Sequence, residues 1–118
     1  MSDLPETMFA LLQKGEGYSG QATGPAIEDA SEYLEAAEIP VPTPGPGQVL
    51  IRLRVASVNP SDTHFIKGEY GQPRIKGNPA GFEGCGDVVV AGAGAEGLVG
   101  KRVSFVVALG CSGAWAEY

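Results

Sequence analysis

Val49, Ile51, Leu53 and Val55 alternate with Leu50, Arg52, Arg54 and Ala56, the clearest periodicity in the chain. A period of two sends successive side chains to opposite faces of a strand, so this segment predicts a strand with both arginines in water. A shorter apolar run, Phe9-Ala10-Leu11-Leu12, predicts a first strand that Gly15 and Gly17 end. Two β-branched runs, Gly86 to Ala91 and Arg102 to Val107, predict two more, and Ala114 to Tyr118 predicts a last one. Tyr33 to Pro40 fits a strand better than a helical turn, because the residue before a proline is pushed toward extended geometry. The stretch from Gly17 to about Ser31 carries no clear period and reads as loop.

One place signals a helix. Asn59 is a good N-cap, Pro60 suits the first helical position, and Asp62 puts an acid in the first turn. Gly68 and Gly71 keep that helix short. Pro40 to Gly47 holds four prolines but leads straight into the strongest strand, so it reads as a stiff connection rather than a linker. Six or so short strands with a helical turn predict a mainly β fold, a compact and partly open barrel. The whole chain, residues 1–118, is of single-domain size.

Composition sharpens this picture. Gly numbers 18 of 118 residues and Pro 9, a density that breaks long helices and favours short strands joined by turns. The net charge of −6, with no basic run longer than Lys101-Arg102, argues against binding nucleic acid. Cys85 and Cys111 form no local pair and read as free buried thiols of a reducing compartment. The acidic start, Met1 to Glu6, lacks the apolar core of a signal peptide. No run approaches the roughly 18 apolar residues of a membrane helix. A cytoplasmic protein without membrane partners is expected.

Several motifs invite chemistry. Gly92-Ala93-Gly94-Ala95-Glu96-Gly97 matches a dinucleotide fingerprint, but Gly100 and the β-branched residues after it disfavour the helix that must receive a pyrophosphate. It reads as a glycine-rich hairpin loop. Ser61, Asp62 and His64 are too close in sequence to bond in the order of a hydrolytic triad. His64, Cys85 and Cys111 do not space into a zinc site. Tyr70, between Glu69 and Gly71, could donate a hydrogen bond or proton to an oxygen that becomes negative, or could only cover a strand edge. Asn59 could be a cap alone, and Glu83 a half-buried strut. Trp115 and Phe82 are expected in the core.

Taken in order, Pro44-Gly45-Pro46-Gly47-Gln48-Val49-Leu50-Ile51, Val58-Asn59-Pro60-Ser61-Asp62, Gly68-Glu69-Tyr70-Gly71, Gly81-Phe82-Glu83-Gly84-Cys85-Gly86, Gly100-Lys101-Arg102-Val103 and Gly113-Ala114-Trp115-Ala116-Glu117-Tyr118 carry a likeness. From about residue 8 onward the chain resembles the catalytic, GroES-like domain of the medium-chain dehydrogenase/reductase superfamily. Zinc alcohol dehydrogenases of that superfamily place a Cys where this chain has Asn59 and a His where it has Phe82. The four-cysteine loop for their structural zinc has no counterpart between Ala108 and Ser112. The chain is more similar to the zinc-free quinone oxidoreductase and enoyl reductase branch, which Asn59-x-x-Asp62 and Tyr70 match. His64 falls where many quinone reductases have a tyrosine.

The resemblance implies a GroES-like partly open barrel with Tyr70 and Asn59 catalytic and Asp62, His64 and Glu83 lining the substrate or cofactor. It implies a small carbonyl or quinone substrate, no zinc, and NADPH bound mainly by a Rossmann domain expected beyond residue 118. The chain alone would then be inactive. A later segment would complete its core, so an exposed edge or apolar patch, and with it a homo-oligomer, is expected. Two alternatives stay open: a non-enzymatic GroES-like binding or assembly module, and a zinc alcohol dehydrogenase with altered ligands.

Overall fold

The computed structural model describes residues 4–108 and 111–118. Met1 to Asp3, part of the segment read against a signal peptide, and two residues of the connection before Ser112 lie outside that range. Among the described residues five strands form: β1 (Thr7–Gln13), β2 (Leu34–Pro40), β3 (Val49–Ala56), β4 (Glu83–Ala91) and β5 (Arg102–Val106). The α-helix, α1 (Pro60–Ile66), sits between β3 and β4. β1 and β2 make an antiparallel pair, and β3, β4 and β5 make a second antiparallel sheet in that order. The fold is mainly β, as the patterning predicts, and no closed barrel forms among the described residues.

The expected last strand is the main correction. Ala116 makes only a single bridge with Ala10. The carbonyl of Trp115 accepts from Leu11 N–H at 2.9 Å, and Glu117 N–H donates to Phe9 carbonyl at 3.2 Å. The carbonyl of Glu117 then accepts from Leu53 N–H at 2.9 Å. Residues 115–117 bond to both β1 and β3, with the Trp115 N–H spent on the Ala80 carbonyl at 2.8 Å, so they stitch the two sheets together without building a ladder on either.

Arg52 and Arg54 lie in water, as the alternation requires. The opposite row is less regular, because the β3–β4 register shifts between Leu50 and Ile51 and again between Leu53 and Val55. The first shift skips Val89 of β4 and the second skips Arg54 of β3, so the alternation of β3 itself breaks only after Leu53. Leu50, before both, is buried, and Val55, after the second, is 64% exposed. Neither cysteine is fully buried. Cys85 is half-buried and Cys111, on the loop after β5, is exposed; both are free thiols.

The core gathers around α1. Phe65, Ile66 and Ala80 are buried together, and Phe82, Trp115, Tyr33, Leu34 and Ile27 pack against them. Gly81 shows why glycine is needed here: φ is +96°, and a Cβ would stand 2.6 Å from the Trp115 ring. The loop after β1 is tied down by side chains. Arg74 Nε donates to Gly17 carbonyl at 2.9 Å, and Lys67 Nζ donates to the carbonyls of Gly24 at 2.6 Å and Ala26 at 3.0 Å. Gly92 to Leu98 turns the chain from β4 into β5 as a hairpin loop, with Gly94 at φ +90° and a single 3-10 turn, Glu96–Leu98. It opens no α-helix.

Candidate functional site

The helix start arranges the site. Asn59 is the N-cap of α1, with extended backbone at φ −112° and ψ 161°. Asp62 is 1% exposed and both its oxygens are engaged. Oδ2 accepts from the Asn59 N–H at 2.7 Å, and Oδ1 accepts from the Phe82 N–H at 3.0 Å. One buried carboxylate thus pins the N-cap of the helix to the segment that enters β4. Its place is structural, as a clamp between two backbone N–H groups.

That clamp brings Asn59 beside Glu83. Asn59 Nδ2 donates to Glu83 Oε2 at 2.6 Å and to Ser57 Oγ at 3.1 Å. Ser57 N–H donates to the Glu83 carbonyl at 3.3 Å, and Trp115 Nε1 holds the Ser57 carbonyl at 3.0 Å. Glu83 is exposed, not half-buried, because it begins β4 at the open end of the sheet. Ser57 gives no sequence signal; it joins the site only through the β3–β4 pairing.

Tyr70 lies on the other side of Phe82. Its ring centroid is 5.5 Å from that of Phe82, which in turn is 4.9 Å from Phe65. Tyr70 is 39% exposed, and its hydroxyl has no hydrogen-bond partner among the described residues. The preceding residue anchors the turn. The Glu69 carboxylate accepts from Thr23 Oγ1 at 2.5 Å and from the N–H groups of Thr23 at 2.6 Å and Gly24 at 3.1 Å. The Thr23 hydroxyl above all, with those N–H groups and Lys67, holds the Glu69 carboxyl below its ordinary range against desolvation. Sequence reading missed Lys67 and Glu69 because both look like ordinary surface charges.

His64 contributes least. It is half-buried on α1, its carbonyl accepts from Glu69 N–H at 2.9 Å, and its ring makes no hydrogen bond among the described residues. Asn59 and Tyr70 do not line a common enclosed hollow among those found. A hollow of about 410 Å³ is apolar and bordered by Phe9, Leu11, Ala56, Val58 and Trp115. Phe9 at 62% exposure and Val58 at 71% make its rim the expected apolar patch. No group of three or more His, Cys, Asp or Glu residues among those described is placed to hold a metal. No described helix is long and apolar enough to cross a membrane.

Comparison with known proteins decides the family. The model of the alcohol dehydrogenase GroES-like domain matches residues 45–118. This chain belongs to that family. It is therefore a member of the medium-chain dehydrogenase/reductase superfamily. The crystal structure of a candidate NADPH:quinone reductase from Mesorhizobium loti shares 54% identity over 99% of the chain, with a TM-score of 0.92. Prostaglandin reductase-3 of Bos taurus is 42% identical over 69% of the chain. L-threonine 3-dehydrogenase of Pyrococcus horikoshii is 34% identical over 96% of it. The high identity to the quinone reductase supports the quinone oxidoreductase branch. The chain spans only 34%, 21% and 29% of these three relatives, respectively. Its relatives are oxidoreductases, and the GroES-like domain is the part it shares with them.

Proposed function

We propose that this chain is the substrate-side domain of a zinc-independent, NAD(P)H-dependent cytoplasmic oxidoreductase that reduces quinones or α,β-unsaturated carbonyls. The observation that carries the reading is Tyr70: a phenol with no hydrogen-bond partner among the described residues, whose ring rests on Phe82, the residue next to the Asn59–Glu83 pair. The names of the Mesorhizobium and bovine relatives support NADPH and a small electrophilic substrate. A reduced nicotinamide supplies hydride.

The described residues contain no cradle for the cofactor's phosphates, since the glycine turn at 92–97 leads into a strand. Cofactor binding is therefore assigned mainly to polypeptide outside this domain, and the domain alone would turn nothing over. What the chain offers is the oxygen end of the reaction. As a carbonyl carbon, or the carbon conjugated to it, gains an electron pair, negative charge collects on oxygen. The Tyr70 O–H donates to that oxygen and can pass its proton on. A preorganised donor of this kind contributes roughly 10²–10³ in rate.

Zinc is not required by the side chains present. Glu83 already meets an amide N–H at 2.6 Å, and Phe82 offers no ligand atom. The test is Tyr70→Phe in the full-length enzyme. Turnover of enones or quinones with NADPH should fall by roughly 10²–10³ while the protein keeps its fold. Unchanged turnover on every accepted substrate removes Tyr70 from the mechanism. Stoichiometric zinc in the purified protein would favour a zinc alcohol dehydrogenase with altered ligands.

A further inference from the structure

We propose that residues 18–26 form a clamp that positions Tyr70 for its role as donor, a role that rests on the proposed function, with Glu69 and Thr23 as the positioning residues. This loop has no strand or helix of its own. It nevertheless bonds the chain on both sides of the phenol. Ahead of Tyr70, the Gly68 carbonyl accepts from the Ser19 N–H at 2.9 Å and from Ser19 Oγ at 3.3 Å. Lys67 reaches back to the carbonyls of Gly24 and Ala26. Beyond Tyr70, the Gly71 carbonyl accepts from Tyr18 Oη at 3.4 Å, the longest bond of the set. Gly68 lets the loop come this close: its φ is +77°, and a Cβ there would stand 2.7 Å from the Ser19 nitrogen.

Glu69 is the centre of the clamp. Its side chain is 4% exposed, although the Tyr70 that follows is 39% exposed. The loop gives its carboxylate three donors, Thr23 Oγ1, the Thr23 N–H and the Gly24 N–H, and Lys67 Nζ stands 3.7 Å away. A carboxylate shut off from water and met by that many donors is held tightly in one place. Glu69 and Tyr70 share a rigid peptide plane, so fixing Glu69 on one side and Gly71 on the other leaves the Tyr70 backbone little room. Its ring then rests on Phe82. The loop bonds Lys67, Gly68, Glu69 and Gly71, and the Tyr70 hydroxyl has no partner among the described residues. The clamp fixes the backbone and spares the proton.

The consequence is kinetic. A misplacement of about 1 Å can cost roughly 10²-fold in rate. Loosening the clamp should therefore lower kcat and leave KM nearly unchanged.

The experiment uses the full-length enzyme with NADPH and cyclohexenone. It compares wild type, Thr23→Ser, Thr23→Val, Tyr70→Phe and Thr23→Val combined with Tyr70→Phe. Thr23 is exposed, so these changes spare the core. Thr23→Val removes the hydroxyl donor to Glu69 and should lower kcat roughly tenfold. Thr23→Ser keeps that donor and should keep the wild-type kcat. In the Tyr70→Phe background, Thr23→Val should cost nothing further, because the residue it acts through is already disabled. An equal loss in both backgrounds overturns the proposal, as does a wild-type kcat in Thr23→Val.

A Tyr70→Phe enzyme as fast as wild type sinks the proposed function instead. Hydrogen exchange over residues 67–71 then decides the clamp. The N–H groups of Gly68 and Glu69 bond the carbonyls of Phe65 and His64 at 2.9 Å, and they should exchange faster in Thr23→Val. Equal exchange in Thr23→Val and wild type overturns the clamp.

Discussion

Asp62, at the corner where α1 meets β4, and Asp87, at the centre of the three-stranded sheet, are each held by two partners. Their partners differ in kind. Asp62 is 1% exposed and accepts from the backbone N–H groups of Asn59 and Phe82. Asp87 accepts from Arg102 Nε at 2.8 Å and Arg54 Nε at 3.0 Å, with both guanidinium side chains more than half exposed. Backbone donors inside the core cannot move, so a carboxylate bound to them sets positions to within a bond length. Exposed guanidinium groups on long stems set little beyond local charge balance. The candidate site is built against the first kind of carboxylate. The sheet surface is laced by the second.

The sharpest way to break that comparison is Asp62→Ala. It orphans two N–H groups at a buried junction and should cost about 2–4 kcal/mol in urea unfolding. It should also release Asn59 from the β4 segment, so catalytic loss in the full-length enzyme would accompany the loss of stability. A variant as stable as wild type would show that the corner is held by packing of Phe65, Phe82 and Trp115 alone. Lys67→Met should come next. Lys67 is 7% exposed and bridges the carbonyls of Gly24 and Ala26. Removing its charge should cost about 1–2 kcal/mol and speed proteolysis near residues 20–27. Unchanged cleavage there would mean that Glu69 holds the loop unaided.

The same contrast explains what could be read from the chain. Local signals survived well: the Asn59-Pro60 helix start, the water-facing Arg52 and Arg54, and the hairpin turn at Gly92 to Gly97 all follow from neighbours in sequence. The mainly β class followed from them. Contacts between distant residues did not show. Asn59 meets Glu83 across 24 positions, and Asp62 meets Phe82 across 20. Each depends on how α1 lies against β4, which no period encodes. The β3 register shifts and the shared stitching of Trp115 to Glu117 are of that type too. Lys67 was invisible because a buried lysine is recognised by its carbonyl partners, and these lie in a loop with no pattern of its own. The site was therefore legible as a set of residue types, while the roles of Asp62 and Glu83 needed the packing.

Asp87 should give the smallest effect and the most particular one, a dependence on pH. Hydrogen bonds from Arg102 and then Arg54, with the charges of both, hold its carboxyl at about 2, below the ordinary 3.8. A folded-state value below the unfolded one stabilises the fold wherever the carboxyl is ionised in both states. That contribution is complete above 3.8 and drains away as pH falls from 3.8 toward about 2. Asp87→Asn removes it, so the wild-type and variant melting curves should lie apart at pH 5 and converge as acid is added. Because the arginines are exposed, added salt should narrow the gap even at pH 5. Curves that stay parallel down to pH 2 would mean that Asp87 is no more tightly held when folded than when unfolded, and the contrast with Asp62 would then rest on burial alone.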